Sequence, residues 1–237
     1  MKRTFLLLLL LSTGCIARGV ATEEAPPPPD AGDGSLTVAA LRDPSSPSHP
    51  VLGTSIVVRD AVVTDVKPTG NSHGFFVQDP TGTSYAGIYV FLGAQEPSVA
   101  IGDVVRVLGT YSSWLGLEEI DARAGLVTVT GGRVRPAPFD VSLNEIEPNA
   151  PRAVELQSML VRVHAVIAAT GTSNGDFTIG ESTSGARMVV TSYMANDVGP
   201  SPFPVMASET FASITGHEYC DGVAQLAPMT ANDVVRD

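Results

Sequence analysis

From Val51 onward the apolar positions fall in short β-branched and aromatic runs, punctuated by Gly, Pro, Asp and Ser. Ile56-Val57-Val58 and Ala61-Val62-Val63 form one long run, broken only by Arg59-Asp60. Gly74 to Gln78 reads as a second strand, closed by the turn Asp79-Pro80-Thr81-Gly82. Gly87 to Leu92 reads as a third. Val104 to Leu108 is a fourth, bounded by Gly102-Asp103 and Gly109. Leu117 to Ile120 begins a fifth, prolonged by Leu126 to Val129. Runs of this length with such punctuation predict a small all-β barrel or sandwich. No twelve-residue stretch keeps a helical apolar period; only Val141 to Ile146 hints at one.

The order then repeats. Ser158 to Ala168 matches Ser55 to Thr64, Phe177 to Glu181 matches Phe75 to Asp79, and Met188 to Val190 matches Ile88 to Val90. Phe211 to Gly216 matches Val104 to Gly109, and Gly222 to Leu226 matches Gly116 to Ile120. Five segments in one order, at a period of roughly a hundred residues, predict two copies of one domain rather than a solenoid. The expected organisation is a first barrel over 51–135, a linker over 136–155 and a second, diverged barrel over 156–237.

Each copy reads strand–strand–strand–gap–strand–strand, the order of the OB-fold. The motifs Gly74-Phe75-Phe76-Val77-Gln78-Asp79, Gly102-Asp103-Val104-Val105-Arg106-Val107-Leu108-Gly109 and Leu117-Glu118-Glu119-Ile120 resemble the OB-like modules of secreted bacterial nucleases and related surface proteins. The resemblance covers about Val51 to Val129 well and Leu156 to Val235 loosely. In the second copy Ser208-Glu209 stands where Gly-Asp precedes strand four, and Gln225-Leu226 replaces the closing Glu-Ile. Such modules usually accompany a separate catalytic domain. This chain leaves no room for one, so the resemblance implies an accessory at most and not the nuclease itself.

The N-terminus has its own pattern. Met1-Lys2-Arg3 precedes an unbroken leucine run from Leu6 to Leu11 and then Ser12-Thr13-Gly14-Cys15, which is the layout of a secretory signal. The cysteine at the cut resembles the lipobox of bacterial lipoproteins. That resemblance implies cleavage after residue 14, a lipid on Cys15 and anchorage in the cell envelope; Ile16 after it is compatible with the outer membrane of a Gram-negative bacterium. Cleavage near Gly14 or Ala17 in an ordinary secreted protein is the alternative. The apolar run is far short of the roughly 20 residues that span a bilayer. Residues 15–50, with prolines Pro26 to Pro29 and the run Asp43 to Pro50, predict an extended, disordered tether. With Cys15 lipidated, Cys220 has no intramolecular partner, since the chain holds 2 cysteines; it is then a buried apolar group or a free thiol.

Charge narrows the partners. The chain carries −11, and loss of Lys2 and Arg3 with the signal deepens this to −13. Nucleic-acid affinity rests on neutralising phosphates, so this balance disfavours it. It also leaves membrane attachment to acyl chains rather than to lipid headgroup attraction. Arg59, Lys67, Arg106, Arg123, Arg133 and Arg135 make the first copy less acidic and keep a nucleic-acid partner in play.

Catalytic chemistry is not legible. His49, His73, His164 and His217 stand apart from metal-ligand spacing, and Glu118-Glu119 on a strand point to opposite faces. Neither an enzyme, a metal nor a cofactor is expected. A binding face is. Ile88, Val90 and Leu92 share one side of strand three and fill the barrel. Phe76 and Gln78 on strand two, with Tyr89 and Phe91 on strand three, take the outer side, and Trp114 sits in the loop before strand five. OB-folds commonly bind oligosaccharides or oligonucleotides there. Two readings of this face stay open. It is a platform for an oligosaccharide or a protein segment, or it is covered by the second copy. The second copy has Thr178, Val189 and Thr191 at the matching places, which assigns any ligand to the first copy.

Overall fold

The computed structural model describes residues 34–67, 70, 72–132, 134–173, 175–185, 187–195 and 201–237. The signal, Cys15 and the first part of the tether lie outside the described residues.

β1 (Ser55–Lys67), β2 (His73–Gln78), β3 (Gly87–Gly93), β4 (Asp103–Trp114) and β5 (Leu117–Gly132) close a barrel in the order β1-β2-β3-β5-β4. Every pairing is antiparallel except β3 with β5. After β6 (Phe139–Asp140), β7 (Leu160–Ala168), β8 (Phe177–Gly180), β9 (Met188–Val190), β10 (Thr210–Cys220) and β11 (Ala224–Ala227) repeat the cycle. β10 returns onto β7, and β9 with β11 is again the parallel pair. β6 and β12 (Val234–Arg236) extend this sheet. The two halves therefore share one strand order and matching register pairs. Phe76 faces Tyr89 as Thr178 faces Val189, and Val90 faces Ile120 as Val190 faces Leu226.

Strand alternation sorts the side chains as the pattern requires. Phe75, Val77, Ile88, Val90, Leu92, Val105 and Val107 fill the first barrel. Phe177, Ile179, Met188, Val190, Phe211 and Leu226 fill the second. A third cluster, with Phe76, Tyr89, Leu117, Met194, Tyr219 and Ala227, lies where the barrels meet. The contact is close enough to involve backbone: a Cβ on Gly87 would stand 2.5 Å from the Ser158 carbonyl and the Met159 nitrogen.

Two boundaries move. The tether was expected to run to Pro50, yet its described part, Gly34 to Pro50, is packed on the first barrel. Leu36 bridges Val58, and α1 (Val38–Arg42) follows. Thr37 Oγ1 accepts the Ala40 N–H at 3.1 Å, while the Asp79 carboxylate accepts the Val38 and Ala39 amides at 3.0 and 2.8 Å. Val38 and Leu41 enter the first core, and His49 packs edge-on against Tyr111 at 5.9 Å. These few apolar residues were masked by the prolines and serines around them. The linker 136–155 is likewise structured. β6 pairs with β7, while α2 (Leu143–Ile146) and α3 (Ala153–Leu156) send Leu143, Ile146 and Leu156 into the second core.

Arg42 explains why the N-terminal segment is held so firmly. Its fully buried guanidinium donates to Gly87 O and Gln157 O at 3.0 and 2.7 Å, to Val154 O at 2.9 Å, and pairs with Glu118 at 2.8 Å. A planar five-donor group suits such a junction of carbonyls. One side chain thus ties α1 to both barrels.

Candidate functional site

The five residues expected to form one face part company. Phe76 is 0 % exposed and lies flat on His217 of the second barrel, with centroids 3.9 Å apart and planes at 3°. Gln78 is buried, and its Oε1 accepts the Leu160 N–H at 3.1 Å. These two belong to the barrel–barrel contact, so for them the platform expectation is corrected: the second copy covers their strand face. Tyr89 stands at the border. It packs against Phe76 at 4.9 Å and donates to Ser72 O at 3.1 Å. Phe91 is half-buried beneath the Arg123 guanidinium, 5.3 Å above its ring. Trp114 is 63 % exposed.

Tyr89, Phe91 and Trp114 line one cleft of about 380 Å³, which is small-molecule or subsite size. Its other wall is Tyr193, Met194 and Tyr219, all from the second copy. The assignment of any site to the first copy alone is therefore corrected. The second barrel lost its own strand-face aromatics and supplies others from the segment after β9 and the far end of β10. The sequence reading ended that strand at Gly216. Tyr219, alternating with Cys220 beyond it, was the signal that the strand continues.

The cleft's polar groups are placed by a local network. The Lys67 ammonium donates to Ser72 Oγ at 3.1 Å and sits 4.8 Å above the Tyr193 ring. Ser72 Oγ and Tyr193 Oη share a hydrogen bond at 3.0 Å. Arg123 is held by Asp121 at 2.6 Å. The Ser112 hydroxyl donates to Glu119 at 3.3 Å; burial still pushes that carboxyl above its ordinary range, with Ser112 and Arg123 opposing. Burial likewise pushes the Tyr219 phenol far up, so it stays a neutral donor. Aromatic faces with a few fixed donors and acceptors can stack a flat or sugar-like ring and orient it. Of the first copy's cations, Lys67 and Arg123 reach this cleft; Arg133 lies outside the described residues.

Beneath the cleft is a sealed network that sequence reading missed. His217 Nδ1 is 3.0 Å from Ser158 O and Nε2 is 2.8 Å from Asp65 Oδ2, and Arg135 donates to that same carboxylate oxygen. Both ring nitrogens are therefore engaged. Ser, His and Asp meet here, yet the ring faces the serine carbonyl and not its hydroxyl, and His217 is fully buried. The geometry is that of a latch. Its sequence partners are 152 and 59 positions away, beyond the reach of local pattern.

Among the described residues no group of three or more His, Cys, Asp or Glu converges to hold a metal. No known protein-family model matches the chain, and no curated protein is significantly similar to it.

Proposed function

We propose that the protein is a non-catalytic binding module of the cell envelope, lipid-anchored through Cys15, whose inter-barrel cleft takes an extended, neutral or weakly charged polymer, an oligosaccharide. The observation that carries the reading is the cleft itself. Phe91 and Trp114 of one barrel and Tyr193 and Tyr219 of the other converge on a single groove, with Glu119 and Arg123 at hand for hydroxyls and Lys67 buried against the Tyr193 ring. The acidity of the chain does not oppose a sugar as it opposes a phosphate backbone. The OB-like resemblance adds a precedent for this class of ligand and not for this cleft. An accessory role toward single-stranded nucleic acid is the weaker reading, resting on Lys67 and Arg123 alone. For Phe76 and Gln78 a structural role between the barrels is favoured, on the stack with His217 and the Leu160 hydrogen bond.

Trp114 is the one tryptophan of the chain, so its emission reports on the cleft rim without labelling. Titration with cell-wall or capsule oligosaccharides is expected to shift and quench that emission, and Phe91→Ala to abolish the response while leaving the melting curve nearly in place. A single-stranded oligonucleotide giving the stronger response would transfer the reading to nucleic acid. No response across both sets would remove the ligand and leave an anchored interaction module. Mass spectrometry of the mature N-terminus tests the anchor: an unmodified chain beginning elsewhere ends it.

A further inference from the structure

On β10, Glu218 follows His217, and alternation sends its side chain away from the cleft that Tyr219 lines. Glu218 is 1 % exposed, and no protein donor reaches its Oε2. Nearly all buried polar atoms in folded proteins have a partner, because leaving one without costs a large part of its hydration. The surrounding donors are committed elsewhere. Gln157 Nε2 donates to Gly116 O at 2.8 Å. Arg42 is close enough to act on Glu218 through space, yet it spends its hydrogens on Glu118 and on three backbone carbonyls.

The orphan carboxyl lines a second cleft of about 320 Å³, walled by the Gly116 turn, α3 and the turn after Cys220. Its walls are largely apolar, with Ala153, Val154, Val223 and Ala224, and none of its lining residues is Lys, Arg or His. Cys220, two residues on from Glu218, lies on the same face and lines the same cleft.

We propose that this cleft is a second ligand site, taking a primary ammonium on a short aliphatic stem, with the nitrogen donating to the Glu218 carboxylate and the stem along Val154 and Val223. An anion meets a carboxyl and no cation. An alcohol gives a single donor and no countercharge. An ammonium brings three donors and a countercharge, so that the carboxyl gives up its proton to solvent on binding and is held as a paired carboxylate, the condition under which such a group is tolerated. Burial pushes the Glu218 carboxyl up to about 8 against the pull of Arg42, which marks how poorly the protein alone supports its charge. The same chemistry is found in free alkyl amines and in lysine side chains.

Cys220 is half-buried in this cleft and serves as the reporter. The full chain is treated with N-ethylmaleimide at neutral pH, and modification of Cys220 is followed by peptide mass. With n-butylammonium at twice its dissociation constant, the rate is expected to fall about threefold. n-Butanol is expected to leave it unchanged, and Glu218→Gln to remove the protection, judged against the same variant without amine because Glu218 also holds the Cys220 thiol up. Val223→Trp, at the exposed mouth, is expected to close the site without touching Glu218. Protection by Nα-acetyl-lysine amide as well extends the site to lysyl side chains; protection by n-butylammonium alone restricts it to free amines. No protection by either amine, equal protection by n-butanol, or protection that survives both variants would overturn the proposal. The readout is independent of Trp114, so failure here and failure of the polymer cleft are separable.

Discussion

Phe76→Ala separates the sealed half of the aromatic face from its open half. The ring is fully buried, stacks on His217 at 3.9 Å and leans on Tyr89 at 4.9 Å. Truncating a buried phenylalanine costs about 3–5 kcal/mol through lost transfer energy and the cavity left behind. Relaxation is restrained here, because Gly87 already brings β3 into backbone contact with Ser158 and Met159. Loss of the ring–imidazole stack keeps the cost off the bottom of that range, at about 4 kcal/mol. For a body running from Gly34 to Asp237, each kcal/mol moves the melting midpoint by roughly 2–4 °C, so the variant should melt about 8–16 °C lower. Urea denaturation followed by far-ultraviolet circular dichroism measures the free energy, with Trp114 emission as an independent probe. A loss below about 1 kcal/mol, the level of an ordinary substitution, would refute the buried-contact account and return Phe76 to the ligand face.

Arg42→Met should cost about 3–5 kcal/mol in the same denaturation assay, because it strands Glu118 and three carbonyls, two of them buried; a neutral result would mean that solvent serves them. Glu218 titrates at about 8 in the folded chain against 4.5 ordinarily, so between those values the folded state holds a proton that the unfolded chain has released. Stability from this group is thus full below about 4.5, declines toward 8 and is flat above. Glu218→Gln removes that loss, so its stability relative to wild type should rise by a few kcal/mol from near pH 5 to near pH 9; a difference independent of pH would refute the buried-carboxyl reading. Leu115 and Gly116 form the tight turn between β4 and β5 with φ of 49° and 90°, a geometry that suits Asn and Gly and is costly for leucine. Leu115 is exposed, so Leu115→Asn should gain about 1 kcal/mol in thermal unfolding, and a loss would show that the side chain makes a contact of its own.

Much of the fold was legible because strand alternation and turn residues are local. The matches of Phe76 with Thr178 and of Tyr89 with Val189 reappear as register pairs in the two barrels. The inward set of Ile88, Val90 and Leu92 followed from the same period. What was not legible is what one barrel does to the other. Nothing near Asp65 signals His217, and nothing near Gly87 signals the backbone of Ser158. The segment before Pro50 failed for a different reason. Composition averaged over it is that of a linker, while three apolar residues and one arginine, Leu36, Val38, Leu41 and Arg42, carry its attachment.

The two readings of the aromatic face, ligand platform and barrel contact, presuppose a single face with a single fate. Along β2 and β3 that face is graded. Phe76 and Gln78 are sealed, Tyr89 is sealed by its ring and reaches the cleft by its edge, and Phe91 opens toward Trp114. The gradient follows from how the second barrel is laid on the first, with β10 crossing so that His217 caps Phe76 while Tyr219, two residues on, reaches the groove. One strand therefore both closes the contact and builds the wall. A cleft whose two sides are joined by a stacked pair, a buried Asp65–His217 hydrogen bond and a backbone-to-backbone approach has its width set before any ligand arrives. Such a site spends little of its binding energy on ordering itself. The second copy carries Thr178 and Thr191 at the matching strand places and sets Tyr193 and Tyr219 on the far wall of the cleft instead, so the two copies meet across it with different residues.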